Sequence, residues 1–291
     1  METLQRSQWH TLPDGFNPDE PLYVLTDIHS CTEALTRLLS EKPSDARLVF
    51  LGDAVDRGPD PLGTLRLIMS DSSAILLHGN HDAMAWYAQK EITLDSPRRK
   101  SLMENSWESN GGRRTMSLFI RAIREGEPCG TLAKEVPSLF EQYWLQGKDY
   151  WLSGNILFVH AGYPAKKSDD WLTMDTEKAA CTEDSPIWWR GYSRKDLYTS
   201  PSTFAGKKVF VISGHTPLDE KYTMRPYGIT LDKGYGRKMA AELRPGEGCG
   251  KVRFFATDCT EISGSHATWN FFPDDDKDAE QSDPDGSPIW E

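Results

Sequence analysis

Two short polar stretches each follow a run of apolar residues, and their side chains are types that bind metals and phosphate. The first stretch contains Asp27 and His29, and the second contains Asp53, Asp56 and Arg57 between glycines. Residues two apart in an extended segment point to the same side, so Asp27 and His29 can reach one ion. Carboxylates and imidazoles are ligands for divalent metals, and an arginine beside them suits a phosphate group.

Further candidates stand in the same position relative to apolar runs. Asn80 and His81 follow the next run, and His160 and His215 each close a later one beside small residues. Each motif alone is equally typical of a turn or a surface ion pair, but four of the seven histidines share this context. The pattern therefore predicts a single site with mixed oxygen and nitrogen ligands. The predicted ligands are Asp27, His29, Asp53, Asn80, His160 and His215.

Six ligands that share one carboxylate suit two divalent ions about 3.5–4 Å apart, an arrangement found in phosphatases. The ligand types fit Mn, Fe, Zn or Co, and the order of metal affinities does not choose between them. We expect no thiolate site, because none of the five cysteines stands in the cluster.

The first part of the chain has a β-α-β-α-β pattern. Crossovers of this length pair strands in parallel, with right-handed connections. In such sheets ligands collect beyond the carboxyl ends of the strands, where the polar stretches fall. The predicted elements are strands 22–26, 48–51 and 74–78 and helices 31–41 and 61–69.

The pattern changes between about residues 83 and 150, where helical and polar stretches predict a helical cap inserted into the sheet order. Strands follow it, and the short connections between the later ones favour antiparallel pairing in a second sheet. These later strands are predicted at 155–160, 209–213, 228–231, 239–243 and 251–256.

The chain of 291 residues is 38% hydrophobic, which is enough apolar material for a full core. We expect one domain over residues 1–272, because the candidate ligands are spread from Asp27 to His215. Residues 273–291 carry a net charge of −7 out of −11 and are predicted to be a disordered acidic tail. The remaining mild negative charge counts against a nucleic acid as the main partner.

The cysteines are scattered and odd in number, which favours buried thiols in a reducing compartment over a disulfide framework. The N-terminal residues lack the apolar segment of a signal peptide, and no apolar run reaches the length of a membrane span. We therefore expect a soluble cytoplasmic protein with no membrane partner.

The motifs DxH, GDxVDRG, GNHD, HAG and GHT occur here in this order over about residues 22–240. The ordered set resembles the metallophosphoesterases of the phosphoprotein phosphatase type. It is most similar to their bacterial and phage branch, which includes the symmetrical diadenosine tetraphosphate hydrolases. Thr26 and Ser30 stand where the first motif of the family usually has glycine. Two more stretches resemble that branch: Trp107-x-x-Asn110-Gly111-Gly112 and Trp188-Trp189-Arg190.

The resemblance implies a four-layer αββα sandwich of two mixed β-sheets with a helical cap insertion, an α/β (α+β) fold. It also implies a general acid, His81, oriented by Asp56, and two phosphate-binding arginines, Arg57 and Arg190. The implied cofactors are two divalent ions, with Mn²⁺ favoured and Fe, Zn, Co or Ni left open. Asp27, His29 and Asp53 would bind the first ion. Asp53 would bridge to the second, whose other ligands would be Asn80, His160 and His215.

The implied activity is that of a dinuclear-metal-dependent phosphomonoesterase, in which a water between the metals attacks phosphorus directly. We expect a protein phosphatase acting on Ser/Thr phosphate, with Tyr phosphate left open. The alternative is a symmetrical dinucleoside polyphosphate hydrolase that uses the same site and holds a base with the cap and Trp188-Trp189. The expected partner is accordingly a phosphorylated protein or a small phosphoester.

Two further classes fit less well. An inactive scaffold would have lost ligands, and none is lost. A metal-free nucleotide-binding domain would have a glycine-rich loop after the first strand. That position here holds residues 27–31, Asp-Ile-His-Ser-Cys.

Overall fold

The computed structural model describes residues 4–93, 107–124, 131–180, 182, 184–190, 198–219, 223–234 and 236–259. The expected acidic tail, 273–291, lies outside these residues, and the single-domain boundary stays a prediction. The helices are α1 (Thr32–Leu39), α2 (Pro61–Met69), α3 (Asn80–Thr93), α4 (Arg113–Arg124), α5 (Thr131–Gln146), α6 (Asp169–Leu172) and α7 (Thr176–Ala180), with a π-helical turn at Glu108–Gly112. The strands are β1 (Gln5–Arg6), β2 (His10–Thr11), β3 (Leu22–Leu25), β4 (Arg47–Phe50), β5 (Ile75–Leu76), β6 (Tyr150–Ser153), β7 (Ile156–Val159), β8 (Ser202–Phe204), β9 (Lys207–Ser213), β10 (Met224–Arg225), β11 (Gly228–Thr230), β12 (Arg237–Arg244) and β13 (Lys251–Asp258).

The first sheet has the order β1-β13-β12-β3-β4-β5, with β2 also paired to β13. Strands β3, β4 and β5 are parallel, as the β-α-β-α-β pattern predicted, and Leu25 lies opposite Phe50. Helix α2 occupies the predicted residues 61–69, because Asp60 caps it by accepting from the Gly63 N–H and Pro61 stands at its first turn.

The second sheet has the order β10-β11-β9-β7-β6, with β8 also paired to β9. We expected the late strands to pair antiparallel in this second sheet, and that expectation was wrong for the pairing of β11 and for the sheet of β12 and β13. Strand β11 pairs with β9 in parallel, and β9 pairs with β7 in parallel. Strands β12 and β13 do pair antiparallel with each other, as expected, but they belong to the first sheet, where β12 also lies antiparallel to β3. Strand β12 is buried on both faces, which suits a position inside the larger sheet.

The two sheets pack face to face, with helices on their outer faces. Val24 and Val49 of the first sheet share a buried cluster with Phe158 and Ile212 of the second. A second buried cluster lies on the far side of the first sheet and includes Leu35 of α1. A third buried cluster lies on the far side of the second sheet and includes Trp171 and Leu172 of α6. This arrangement confirms the predicted fold of two mixed sheets between helical layers.

Helices α3 to α5 lie in the segment where a cap was predicted. Trp144 of α5 stacks on Trp86 of α3 with ring centroids 5.5 Å apart, and on His78 at 4.1 Å. His78 also contacts the Asp149 carboxylate and the Trp144 carbonyl, each at 2.9 Å. It therefore fixes α5 to the end of the first sheet.

None of the described helices is both long enough and apolar enough to cross a membrane. Among the described cysteines, Cys31, Cys249 and Cys259 form no disulfide.

Candidate metal centre

Two sheets deliver the predicted ligands to one place because the carboxyl ends of their parallel strands meet at the same edge. Asp27 and His29 follow β3, Asp53 follows β4, and Asn80 begins α3 directly after β5. From the other sheet, His160 follows β7 and His215 follows β9. All six side chains are at least 97% buried.

Asp53 lies between two groups of side chains that could each hold a metal ion. In the first, ligand atoms of His29, Asp53 and His81 all lie within 4.8 Å of one another. The His29 Nε2 atom is 3.5 Å from Asp53 Oδ2 and 3.9 Å from Asp27 Oδ1. One carboxylate oxygen of Asp53 thus faces the residues that follow β3.

The second group lies against the other oxygen of Asp53. Ligand atoms of Asp53, His160 and His215 lie within 4.8 Å of one another, and His160 Nε2 is 3.5 Å from Asp53 Oδ1. The Asn80 Oδ1 atom is 3.0 Å from His160 Nε2 and 2.9 Å from His215 Nδ1. Asp53 thus contributes one carboxylate oxygen to each of the two groups.

Backbone carbonyls set the orientation of the three imidazoles. The outer nitrogen of each ring contacts a carbonyl oxygen: His29 Nδ1 reaches Val55 at 3.1 Å, and His160 Nδ1 reaches Leu51 at 2.8 Å. The His215 Nε2 atom is 3.2 Å from the Trp188 carbonyl. An N–H on the outer nitrogen leaves a lone pair on the inner one, which is how histidine ligands are normally held.

Charge and burial keep these imidazoles neutral. Burial lowers the pKa of His29 well below its usual value, and the Arg57 charge lowers it further. Burial also lowers the pKa of His160, and it lowers that of His215 together with the Arg190 charge. Neutral imidazole is the form that binds a metal.

Burial shifts the pKa of the carboxylates in the opposite direction, and several of them are buried together. Burial raises the pKa of Asp53 well above its usual value, and the nearby Asp27 and Asp82 raise it further. Buried carboxylates are stable as anions only when a cation is close, and a bound divalent ion is a strong local charge. The donor set, with several carboxylates buried together, therefore fits two divalent ions.

Arg57 adjoins this site. Its Nη1 atom is 2.6 Å from His29 Nε2, so His29 can bind an ion through that nitrogen only if the guanidinium moves away. The backbone N–H of Arg57 donates to the Gly111 carbonyl at 3.0 Å, which attaches the second motif to the cap. Arg190 is exposed beside the cluster. Burial lowers the pKa of His81 well below its usual value, and the Arg57 and Arg190 charges lower it further.

His81 and Asp56 form a buried pair at the same edge. The His81 Nδ1 atom is 2.7 Å from Asp56 Oδ2, and the same oxygen accepts from Trp107 Nε1 at 2.7 Å. The Asp56 backbone N–H donates to the Thr115 hydroxyl at 3.1 Å. Burial raises the pKa of Asp56 to about 7, although Thr115 and Trp107 oppose the shift. Trp107 and Thr115 belong to the cap, so the cap holds Asp56 in position.

A model of the calcineurin-like phosphoesterase family matches residues 20–241, which is most of the chain. The protein belongs to this family. As a calcineurin-like phosphoesterase it is a metal-dependent hydrolase of phosphoric esters, as the sequence predicted.

Three relatives illustrate the range of this phosphoesterase family. Serine/threonine-protein phosphatase 1 of Salmonella typhimurium is 29% identical over 200 residues, covering 68% of this chain and 79% of the relative. Serine/threonine-protein phosphatase 2 of the same organism is 30% identical over 216 residues, covering 73% and 87%. A symmetrical bis(5'-nucleosyl)-tetraphosphatase of Ralstonia nicotianae is 42% identical over 65 residues, covering 21% and 23%.

The loops of this phosphoesterase site hold non-glycine residues in the left-handed region of backbone conformation. Ser30, where the family usually has glycine, has a φ of 60° and is fully buried. Such a conformation costs about 1–3 kcal/mol for a non-glycine residue and persists only where the surroundings enforce it. Thr26, at the other usual glycine, donates to Asp27 Oδ2 at 2.5 Å. The other site residues with positive φ are Asp27, His29, Asp53, Asp56, Arg57 and His215.

The loops after β4 and β5 pack closely against each other at Gly79. A Cβ atom on Gly79 would lie 2.2 Å from Asp53 Oδ1 and 2.3 Å from the Asp53 nitrogen. Because backbone and carboxylate would both have to move, we expect Gly79→Ala to lower the free energy of unfolding by about 2–3 kcal/mol. Urea unfolding of the metal-free protein measures this change. Gly236→Ala is the control, since its Cβ would have no neighbour within 4 Å. Equal stabilities for the two variants would contradict the prediction.

Sequence reasoning did not single out several residues that support the site. Asp82 accepts three backbone N–H groups from the loops, and Tyr143 donates to it from α5. Lys238 of β12 is 98% buried and donates to the Asp27 carbonyl at 2.6 Å. Asp82 was visible inside the GNHD motif. Tyr143 and Lys238 carry no local signal, because their contacts join segments far apart in sequence.

Proposed function

We propose that this phosphoesterase is a dinuclear phosphomonoesterase that removes phosphate from serine and threonine residues of proteins. The observation that carries the proposal is the position of Asp53, whose two carboxylate oxygens each face a separate histidine at 3.5 Å. That arrangement suits two ions with a shared ligand. The Salmonella relatives named as serine/threonine phosphatases match most of their own length, which favours a protein substrate.

In this proposal Asp27, His29 and Asp53 would hold the first ion, and Asp53 would also serve the second. Asn80, His160 and His215 complete the second set. Two bound ions would lower the pKa of a water toward neutrality and offset the charge of the phosphate. Mn²⁺ is the ion we favour.

The remaining residues act on the phosphate and the leaving group. Arg57 and Arg190 bind the non-bridging phosphate oxygens, since a guanidinium can donate two parallel hydrogen bonds. His81 donates a proton from Nε2 to the departing oxygen. Asp56 accepts the hydrogen bond from Nδ1, as its 2.7 Å contact allows, and so stabilises the protonated imidazole. No side chain acts as a nucleophile.

A second candidate is hydrolysis of symmetrical dinucleoside polyphosphates at the same site. The bis(5'-nucleosyl)-tetraphosphatase of Ralstonia nicotianae is locally the more identical relative. Trp188 supports this candidate, because its ring lies edge-on to His215 at 6.2 Å and is only partly buried. An aromatic surface beside the phosphate site could stack on a base.

A substrate panel separates these functions. We expect protein dialysed against a chelator to lose turnover of phosphoserine and phosphothreonine peptides, and added Mn²⁺ to restore it. Phosphotyrosine peptide and diadenosine tetraphosphate are measured under the same conditions. A higher kcat/KM for diadenosine tetraphosphate than for any peptide would favour the second candidate. No metal-dependent turnover of any substrate would overturn both.

A further inference from the structure

The Asp82 carboxylate accepts four hydrogen bonds beside the candidate metal centre. The proposed reaction gives this carboxylate no role. It is fully buried. Its Oδ2 atom accepts from the N–H groups of Asp53 at 2.8 Å and Gly79 at 3.1 Å, and its Oδ1 atom accepts from that of Ala54 at 3.0 Å. The fourth donor is the Tyr143 hydroxyl, 2.9 Å from Oδ2.

These bonds hold the loops after β4 and β5 against each other. The Asp53 N–H donates to Asp82, while Asp53 Oδ1 accepts from the His81 N–H at 2.9 Å. The loop after β5 thus fixes both the backbone and the side chain of Asp53. A shift of the Asp82 carboxylate would therefore move the shared carboxylate relative to its histidines.

Tyr143 reaches this junction from a different part of the fold. It lies on cap helix α5, 61 residues from Asp82 in sequence, and is 1% exposed. Its ring packs beside Phe140 with centroids 6.1 Å apart. The same end of α5 is attached to the sheet by the contact of His78 with the Trp144 carbonyl at 2.9 Å. The hydroxyl is consequently held in a fixed place relative to the loops.

We propose that Tyr143 is a positioning residue that holds the Asp53 carboxylate in its metal-binding geometry through Asp82. The cap thereby controls the affinity of the centre for metal. The inference rests on the proposed function, because Asp53 is a metal ligand only within it. Partners of metal ligands typically change affinity 10- to 100-fold when they are lost.

The test is Mn²⁺ titration of the full chain by calorimetry, without substrate. We expect Tyr143→Phe to raise the dissociation constant on the order of 10-fold, because the aromatic ring remains and only the hydroxyl is lost. At saturating Mn²⁺ we expect kcat to recover most of its wild-type value. A merely structural tyrosine would lower the melting temperature and leave the metal affinity unchanged.

Tyr23→Phe is the matched control. Tyr23 is also fully buried, and its hydroxyl donates to the Leu38 carbonyl in α1 at 2.6 Å. This variant loses the same atom and a comparable hydrogen bond, but no contact with the loops that carry Asp53. We expect its metal affinity to equal that of the wild type.

A double-mutant cycle of Tyr143→Phe with Asp82→Asn tests whether Tyr143 acts on Asp53 through Asp82. If Tyr143 acts through Asp82, the loss of affinity in the double variant is smaller than the sum of the single losses. Additive losses, or a Tyr143→Phe variant with wild-type affinity, would overturn the inference. If Asp82→Asn does not fold, the comparison of the two tyrosine variants decides alone. Wild-type protein that binds no metal would instead overturn the proposed function.

Discussion

Asp53→Asn is expected to lose metal binding and phosphatase activity together. An amide keeps the size of the side chain, but it removes the negative charge and presents one oxygen where the two histidine groups require two. Bound ions contribute several kcal/mol to stabilising the charge of the transition state. A loss of about 4 kcal/mol corresponds to roughly 10³-fold in turnover. Metal content after dialysis and kcat on a phosphoserine peptide measure the two effects.

Asp169→Asn is the matched control for that experiment. Asp169 is likewise a carboxylate held by hydrogen bonds, from the Tyr163 hydroxyl at 3.1 Å and the Ala205 N–H at 2.9 Å, but it lies in α6 beside the second sheet. We expect this variant to keep its metal and its activity. An Asp53→Asn protein that turned over substrate with both ions bound would refute the shared carboxylate.

The location of the candidate site was predictable because it depends on strand ends, which have a local signature. Apolar runs located β3, β4, β7 and β9, and the polar residues that follow them then meet wherever parallel strands end together. Asp27 and His160 come from different sheets, yet each could be found from its own neighbours in sequence. The structure places all six predicted ligands at one edge.

The sheet to which β12 and β13 belong could not be predicted from local sequence. Their short connections predicted that both strands belong to the second sheet. Strand β13 does pair with β12, but β12 lies against β3 in the first sheet. What favours that position is burial on both faces, with Ala240 in one core cluster and Ala241 in the other. Burial on two faces depends on the packing of distant segments, which local sequence does not report.

Two contacts that hold site residues in place could not be predicted from sequence either. A buried lysine such as Lys238 is rare, and nothing near it in sequence indicates that its ammonium group will meet the Asp27 carbonyl. The Trp107 contact with Asp56 spans 51 residues. The positions of the candidate ligands were therefore predictable from sequence, whereas contacts such as those of Lys238 and Trp107 emerged only from the fold.

His81→Asn is expected to lose turnover selectively. Although His81 lies close to His29 and Asp53, the proposal assigns the first ion to other side chains, so we expect the variant to keep its metal. A general acid contributes about 10²- to 10⁴-fold when the leaving group is a poor one, such as the alkoxide of serine. An activated aryl phosphate needs little protonation, so we expect less than about a 10-fold loss of kcat with it. The measurement is kcat on phosphoserine peptide and on 4-nitrophenyl phosphate, at metal concentrations that saturate the variant.

The ratio of the two losses is what identifies the acid, because a variant that merely distorts the centre slows both substrates alike. His78→Asn provides the comparison. His78 is also a mostly buried histidine beside a carboxylate, 2.9 Å from Asp149, but its two nitrogens contact Asp149 and the Trp144 carbonyl rather than the metal-binding groups. We expect His78→Asn to change stability and to leave the ratio near one. Equal losses in His81→Asn would place His81 among the residues that hold the site together and would leave the leaving group to take its proton from water.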